Sequence, residues 1–361
     1  MVTKLLSFDV IFNKKDRELF GEYLKIKKMF EDYWINKLNL DEITENCLKE
    51  QIKIIKKFLN IPPNYDVRFS FGTTDAIERI FQRYIQDGDN IVITTRNEHD
   101  SVESDFNGLK GIFTNQEYFE FKDLKELKIL TKEISKRGFL NKKVLFILSH
   151  VFYDTGEAID IYSIIQEIKK NFKNSFVIVD GVHAFGNIQI NIDQVAPDAY
   201  VFDLYKWANG LEGQGFCIIK KNHPYIKSFD SIYGSNPDIL SLNNYKRSWR
   251  LNPLLVNWLA NTYCLNKIEK IGIDNIIENN KILSNIFYKS FIRKKLILNH
   301  STAMFSIDFG NGLELYNYLL SRGFLTHYIP DKKYVRFCFN SLLSKESEVK
   351  LLVKVLNEYF K

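Results

Sequence analysis

The sequence predicts an α/β protein in which a mostly parallel seven-stranded sheet, flanked by helices, is followed by a smaller C-terminal α+β domain. Past residue 60, short apolar runs alternate with amphipathic helical stretches, the pattern of a sheet covered on both faces. Beyond about residue 222 the order changes to long helix, strand, helix, paired strands and helix. At 361 residues the chain is longer than a single core usually grows. The expected division is a helical segment at 1–60, a large α/β domain at 61–250 and a small α+β domain at 251–361. With no low-complexity linker in sight, the boundary falls near Pro253.

Two helices are expected first. Leu19, Tyr23, Phe30, Tyr33 and Trp34 recur at helical spacing, as do Ile43, Cys47, Ile52, Ile55 and Phe58, before Pro62 and Pro63 close the segment. Strands are predicted at 67–71, 91–94, 111–119, 144–149, 176–180, 199–203 and 215–219. Helices are predicted at 75–86, 122–135 and 160–170, and 344–360 reads as a strongly amphipathic helix.

Composition excludes several classes. Hydrophobic residues make up 45% and charged residues 26%, as in an ordinary folded protein. The net charge of +6 is spread among interspersed acids and bases, so nucleic acid is not implied. Cys47, Cys217, Cys264 and Cys338 lie far apart without metal-site or disulfide spacing, which fits a reducing compartment and no metal. No apolar run approaches a membrane span or a signal peptide, so a cytoplasmic protein is expected.

In an open parallel sheet, ligands gather where strands end, and four endings here are chemically rich. Phe71-Gly72-Thr73-Thr74-Asp75 leads from strand to helix. Its backbone N–H groups and two hydroxyls make a phosphate seat, although Thr-Asp before a helix is also an ordinary cap. Asp180 follows four apolar residues, where a carboxylate needs a cationic partner; a pyridinium N–H is such a partner. Lys206 follows the strand expected at 199–203 in an apolar setting, which lowers an amine's pKa and favours imine chemistry. His99, in Glu98-His99-Asp100-Ser101, either stacks on a flat ring or caps a loop. Taken singly, Lys206 reads as a surface lysine and His183 as a core histidine; the combination in this order is what points to a site.

The stretch from Gly72 to about Cys217 resembles class V of the pyridoxal 5′-phosphate (PLP)-dependent aminotransferase superfamily, the fold-type-I group of cysteine desulfurases and kynureninases. Gly72–Asp75, Glu98–Ser101, Asp180–His183 and Asp203–Lys206 match that family's motifs in order. The resemblance implies that Lys206 carries PLP as a Schiff base and that Asp180 pairs with the ring nitrogen. It places His183 near the ring's phenolic oxygen, His99 on the ring face, and Thr73, Thr74 and Tyr205 at the phosphate. Leu148-Ser149-His150 and Tyr205-Lys206-Trp207 look closest to the kynureninase branch, making His150 a substrate-binding candidate. Arg336 resembles the arginine that grips the substrate α-carboxylate. A homodimer is also implied.

Departures stand beside these matches. Asp203 occupies the place of a phosphate-binding serine, where it either points away or pairs with a base. The family's Gly-Thr is missing near 247–253, leaving Asn252 or Arg250 as candidate substitutes. Residues 324–331 contain no cysteine where desulfurases carry their nucleophile. The expected activity is a side-chain lyase acting on an α-amino acid. A class V aminotransferase is the alternative, and a degenerate binding protein a further one.

Overall fold

The computed structural model describes residues 6–7, 17–36, 40–85, 90–96, 98–99, 102, 117–223, 225 and 255–361. Seven strands form the main sheet: β2 (Tyr65–Ser70), β3 (Asn90–Thr95), β4 (Glu117–Phe121), β5 (Lys143–Ser149), β6 (Ser175–Asp180), β7 (Ala199–Asp203) and β8 (Gly215–Lys220). Their order is β2-β8-β7-β6-β5-β3-β4. β8 runs antiparallel to both β2 and β7, and the other pairings are parallel. Of the strand expected at 111–119, residues 117–119 lie in β4, which continues to Phe121, and residues 111–116 lie outside the described residues.

Strand alternation separates two apolar faces. One carries Phe146, Leu148, Val177, Val179, Tyr200 and Phe202, packed against the helices Leu124–Lys136 and Ile161–Asn171. Both helices start where an aspartate accepts a hydrogen bond from the first turn: Asp123 from the Glu126 N–H at 2.9 Å and Asp160 from the Ser163 N–H at 3.1 Å. The other face carries Leu145, Ile147, Ile178 and Val201 beneath the helix Thr73–Ile85. Asp180 and Asp203 continue this second register, so their carboxylates emerge on the side of that helix.

The C-terminal part is a three-stranded antiparallel sheet, ordered β11 (His327–Ile329), β12 (Tyr334–Cys338), β9 (Met304–Asp308), with helices Ile273–Ser290 and Glu346–Tyr359. The first sixty residues are not helix alone. Besides helices Arg17–Asn36 and Leu40–Phe58, they supply β1 (Leu6–Ser7), which pairs in parallel with β10 (Phe324–Leu325) in the C-terminal part. The expected boundary near Pro253 lies outside the described residues.

A chain of buried amides ties the elements together beside the end of β7. Gln214 donates to Gln51 at 2.6 Å; Gln51 donates to the Trp258 carbonyl at 2.6 Å and to Thr262 at 2.8 Å. Asn261 accepts from the Leu211 N–H at 2.6 Å and donates to Gln214 at 2.9 Å. Each buried amide is satisfied by another, so the loop after Lys206 is locked to two helices.

Glu98 makes a second lock. Its carboxyl, 2% exposed, accepts from the Ser149 N–H at 3.0 Å, lies 2.6 Å from the Ser149 hydroxyl and also meets the Thr95 hydroxyl. It thereby links the ends of β3 and β5. Burial pushes its pKa up to about 8, with the nearby Asp180 charge adding to the rise and the hydrogen bonds opposing it. A carboxyl whose folded pKa lies above its unfolded one stabilises fully below the unfolded value, and that contribution is lost as pH rises through the folded value. Between the ordinary 4.5 and about 8, the wild-type melting temperature is therefore expected to fall relative to that of Glu98→Gln, whose neutral amide does not titrate. Thermal melts of both proteins across that range check this, and parallel curves would show that Glu98 stays ionised in the fold.

Candidate active site

At the end of β6, Asp180 is 6% exposed and its carboxyl group accepts one hydrogen bond among the described residues, from the Val182 N–H at 2.8 Å. Burial pushes its carboxyl up to about 6, against the pull of the Val182 N–H and the Lys206 ammonium. Gly181 follows because nothing larger fits: a Cβ there would lie 2.1 Å from the Tyr200 ring. That close approach lets the chain turn directly from Asp180 into the segment bearing His183.

His183 is buried, and its Nδ1 has no hydrogen-bond partner among the described residues. Its pKa lies well below the ordinary histidine value, first through burial and then through Lys206, Arg336, His99 and His327, whose charges all act on it. One neutral imidazole thus stands amid groups drawn from three separate parts of the chain. Asn187 donates to the His183 carbonyl at 3.0 Å and accepts from the Ala303 N–H at 3.1 Å, which ties this turn to the C-terminal part.

Lys206 is 6% exposed, with its Nζ 5.5 Å from the centroid of the Tyr205 ring. Its position is set from behind: Trp207 is buried, and its carbonyl accepts from the buried Asn340 at 2.9 Å. Two carboxyl groups, Asp180 and Asp203, feel the Lys206 charge.

Arg336, on β12, is 1% exposed and donates through Nη1 to the Tyr153 carbonyl at 2.6 Å. The Tyr153 ring meets the exposed His99 edge-on, with centroids 5.3 Å apart. His327 is the cross-strand partner of Arg336 in the antiparallel β11–β12 pair. Residues directly opposite one another in such a pair project to the same side.

Thr73 begins its helix with its N–H and hydroxyl both donated to Asp203 Oδ1, at 2.7 and 2.9 Å. Burial raises the Asp203 carboxyl, opposed by Lys206 and by these two bonds. Asp203 therefore neither points away nor pairs only with a base; it caps the helix. Thr74 is exposed at the same turn.

His150 is not brought to this site. Its Nδ1 is hydrogen-bonded to the Tyr200 hydroxyl at 2.9 Å, and Tyr200 belongs to the opposite face of the sheet. The ring lines a separate cavity with Phe58, Asn60 and Gln189. Consecutive residues at a strand end point to opposite sides, so when Ser149 faces Glu98, His150 must turn away. Asn252, Arg250 and Ser101 lie outside the described residues. Sequence reading passed over His327, whose only signal was its place across a hairpin from Arg336. It also passed over Asn340 and the Gln51 chain, which carry no local motif.

The residues fit a pyridoxal ring. A buried acid with hydrogen-bonding capacity to spare, a buried lysine beside it and a buried imidazole nitrogen lacking a partner are the groups that such a ring's nitrogen, aldehyde and phenolic oxygen require. Among the described residues, no cluster of three or more His, Cys, Asp or Glu side chains could hold a metal, and no helix is long and apolar enough to cross a membrane.

Comparison with known proteins agrees. The cysteine desulfurase of Wigglesworthia glossinidia brevipalpis is 27% identical over 188 residues, 50% of this chain and 44% of that protein. A probable cysteine desulfurase of Borreliella burgdorferi is 22% identical over 317 residues, 81% of this chain and 74% of that protein. The chain thus spans less than half the length of the first of these relatives. The fold matches a cystine C-S lyase in complex with cysteine persulfide, with a TM-score of 0.78 at 16% identity, covering 99% of this chain and 98% of that one. It also matches a phosphoserine aminotransferase from Cytophaga hutchinsonii, with a TM-score of 0.71 at 15% identity and 99% of both chains covered. The family model described as aminotransferase class-V matches residues 39–308. That stretch takes in the whole seven-stranded sheet together with Asp180, His183 and Lys206, and the chain accordingly belongs to the aminotransferase class-V family, as a PLP-dependent enzyme.

Proposed function

We propose that this enzyme acts on an α-amino acid and cleaves a C–S or C–C bond of its side chain, without carrying a persulfide on a cysteine of its own. The observation that carries the reading is the segment before Arg336, which places His327, and no cysteine, across from that arginine. The four thiols are committed elsewhere. Cys217, Cys264 and Cys338 are buried, and Cys47 is half-buried. Burial pushes the Cys47 and Cys217 thiols up, away from the reactive thiolate. The relatives named as cysteine desulfurases and the structural neighbour named as a cystine C-S lyase support C–S cleavage as the first chemistry to test.

Lys206 would hold the cofactor, Asp180 its ring nitrogen and His183 its phenolic oxygen. Bound there, PLP supplies an electron sink conjugated to the substrate Cα. Arg336 binds the substrate α-carboxylate through its planar, permanently charged guanidinium. The Lys206 amine, buried among carboxyl groups, would take the proton from Cα, and the electron pair of that C–H bond would expel the side-chain group, which leaves with a proton. Asp180 holds a proton at the ring nitrogen by keeping a negative charge buried against it.

In wild type, borohydride reduction is expected to fix the cofactor to the peptide containing Lys206, and Lys206→Ala abolishes both that linkage and turnover. Asp180→Asn keeps the cofactor but lowers kcat by roughly 10²–10³-fold, the scale for losing one preorganised electrostatic contact. Assayed on α-amino acids bearing β-sulfur groups, wild type releases sulfide or thiol with a keto acid over many turnovers. A single keto acid per site and no side-chain fragment would instead mark an aminotransferase. Arg336→Lys raises KM by roughly 10- to 100-fold, because a point charge replaces a bidentate, charge-assisted contact worth about 1.5–3 kcal/mol. Single Cys→Ala variants retain turnover; loss of activity in any one that still folds would return a cysteine to the mechanism.

A further inference from the structure

The helix Thr73–Ile85 offers an anion seat at its start, and an anion already sits there. Asp203 Oδ1 takes both the backbone N–H and the hydroxyl of Thr73, from 130 positions away in the chain. Exposed N–H groups and the helix dipole favour negative charge at this point, and a carboxylate satisfies them as a phosphate would. The surroundings are built rather than open. Strand partners Ser70, Gly215 and Asp203 lie in line across β2, β8 and β7, and a Cβ on Gly215 would come within 2.8 Å of both Gly72 Cα and Ser70 Oγ. Ser70 Oγ is itself buried with no partner among the described residues, a second polar group beside the seat with hydrogen-bonding capacity unused.

We propose that Asp203 competes with the cofactor's phosphate for the start of this helix. Asp203 holds Thr73, and the phosphate enters by displacing it. The phosphate then contributes little to affinity, which rests on the ring contacts with Lys206, Asp180 and His183. Like charges at one seat repel: a phosphate monoester carries about −1.5 to −2 at neutral pH, and Asp203 adds a carboxylate where a hydroxyl would only donate. The inference rests on the reading of Thr73 and Thr74 as the phosphate-binding turn.

The test is a comparison of dissociation constants for PLP and for pyridoxal, which lacks the phosphate, in wild type, Asp203→Asn and Asp203→Ser. Asn is nearly isosteric, so at least one variant should keep the fold, which melting curves of the cofactor-free proteins verify. The expected result is a ratio of pyridoxal to PLP dissociation constants that rises at least tenfold in both variants, through tighter PLP binding with pyridoxal little changed. An unchanged or smaller ratio overturns the proposal and makes Asp203 a supporting cap. If neither compound forms a borohydride-reducible link to Lys206 in wild type, the cofactor-site reading falls, and the competition with it.

Discussion

Three acidic groups are buried along one edge of one sheet, and most of the site follows from how each is made tolerable there. Asp203, Asp180 and Glu98 stand at or near the ends of β7, β6 and β3, and all are 6% exposed or less. An unpaired carboxylate so placed would cost several kcal/mol. Glu98 meets the cost by accepting hydrogen bonds from Thr95 and Ser149. Asp203 meets it by capping a helix. Asp180, with a single N–H and the Lys206 charge, is the least compensated, and for that reason it is the one suited to a cationic ligand.

The same accounting explains why Lys206 is held from the back. A lysine that must shed or hold a proton in an apolar setting cannot be left to choose among rotamers, because a small displacement would change which acid it faces. Its neighbour Trp207 is pinned through Asn340, and the loop beyond is pinned through Gln214, Gln51 and Asn261. These contacts come from the N-terminal helices, the long helix Leu255–Ile271 and the C-terminal part. The seven-stranded sheet and its own helices alone would leave the lysine's loop with buried amides lacking partners. The parallel pairing of β1 with β10 ties the chain's first residues into the same arrangement.

Burial and the nearby Lys206, Arg336, His99 and His327 all oppose protonation of His183, and a neutral imidazole can accept or donate a hydrogen bond without adding charge. Arg336 and His327, neighbours across two strands, bring a guanidinium and a second imidazole from the small antiparallel sheet, which contributes nothing to the main sheet.

The sequence by itself determined that seven strands alternate with helices and, for β5, β6 and β7, the residue at which each ends, because apolar runs of strand length between amphipathic helices have few other ways to bury their surface. It also singled out Asp180, Lys206 and Thr73, since a charged or polar residue soon after a buried run is conspicuous in one dimension, whereas His183 and Arg336 were marked only by the family resemblance. It misjudged His150, whose side of the sheet depends on which neighbour's side chain Ser149 faces. Only the tertiary structure decided that Asp203 reaches Thr73, that Glu98 is closed off by Ser149, that Gln51 meets Gln214, and that His327 stands across from Arg336. These contacts join residues scattered along the chain, and whether a buried polar group is satisfied depends on partners that no local pattern encodes.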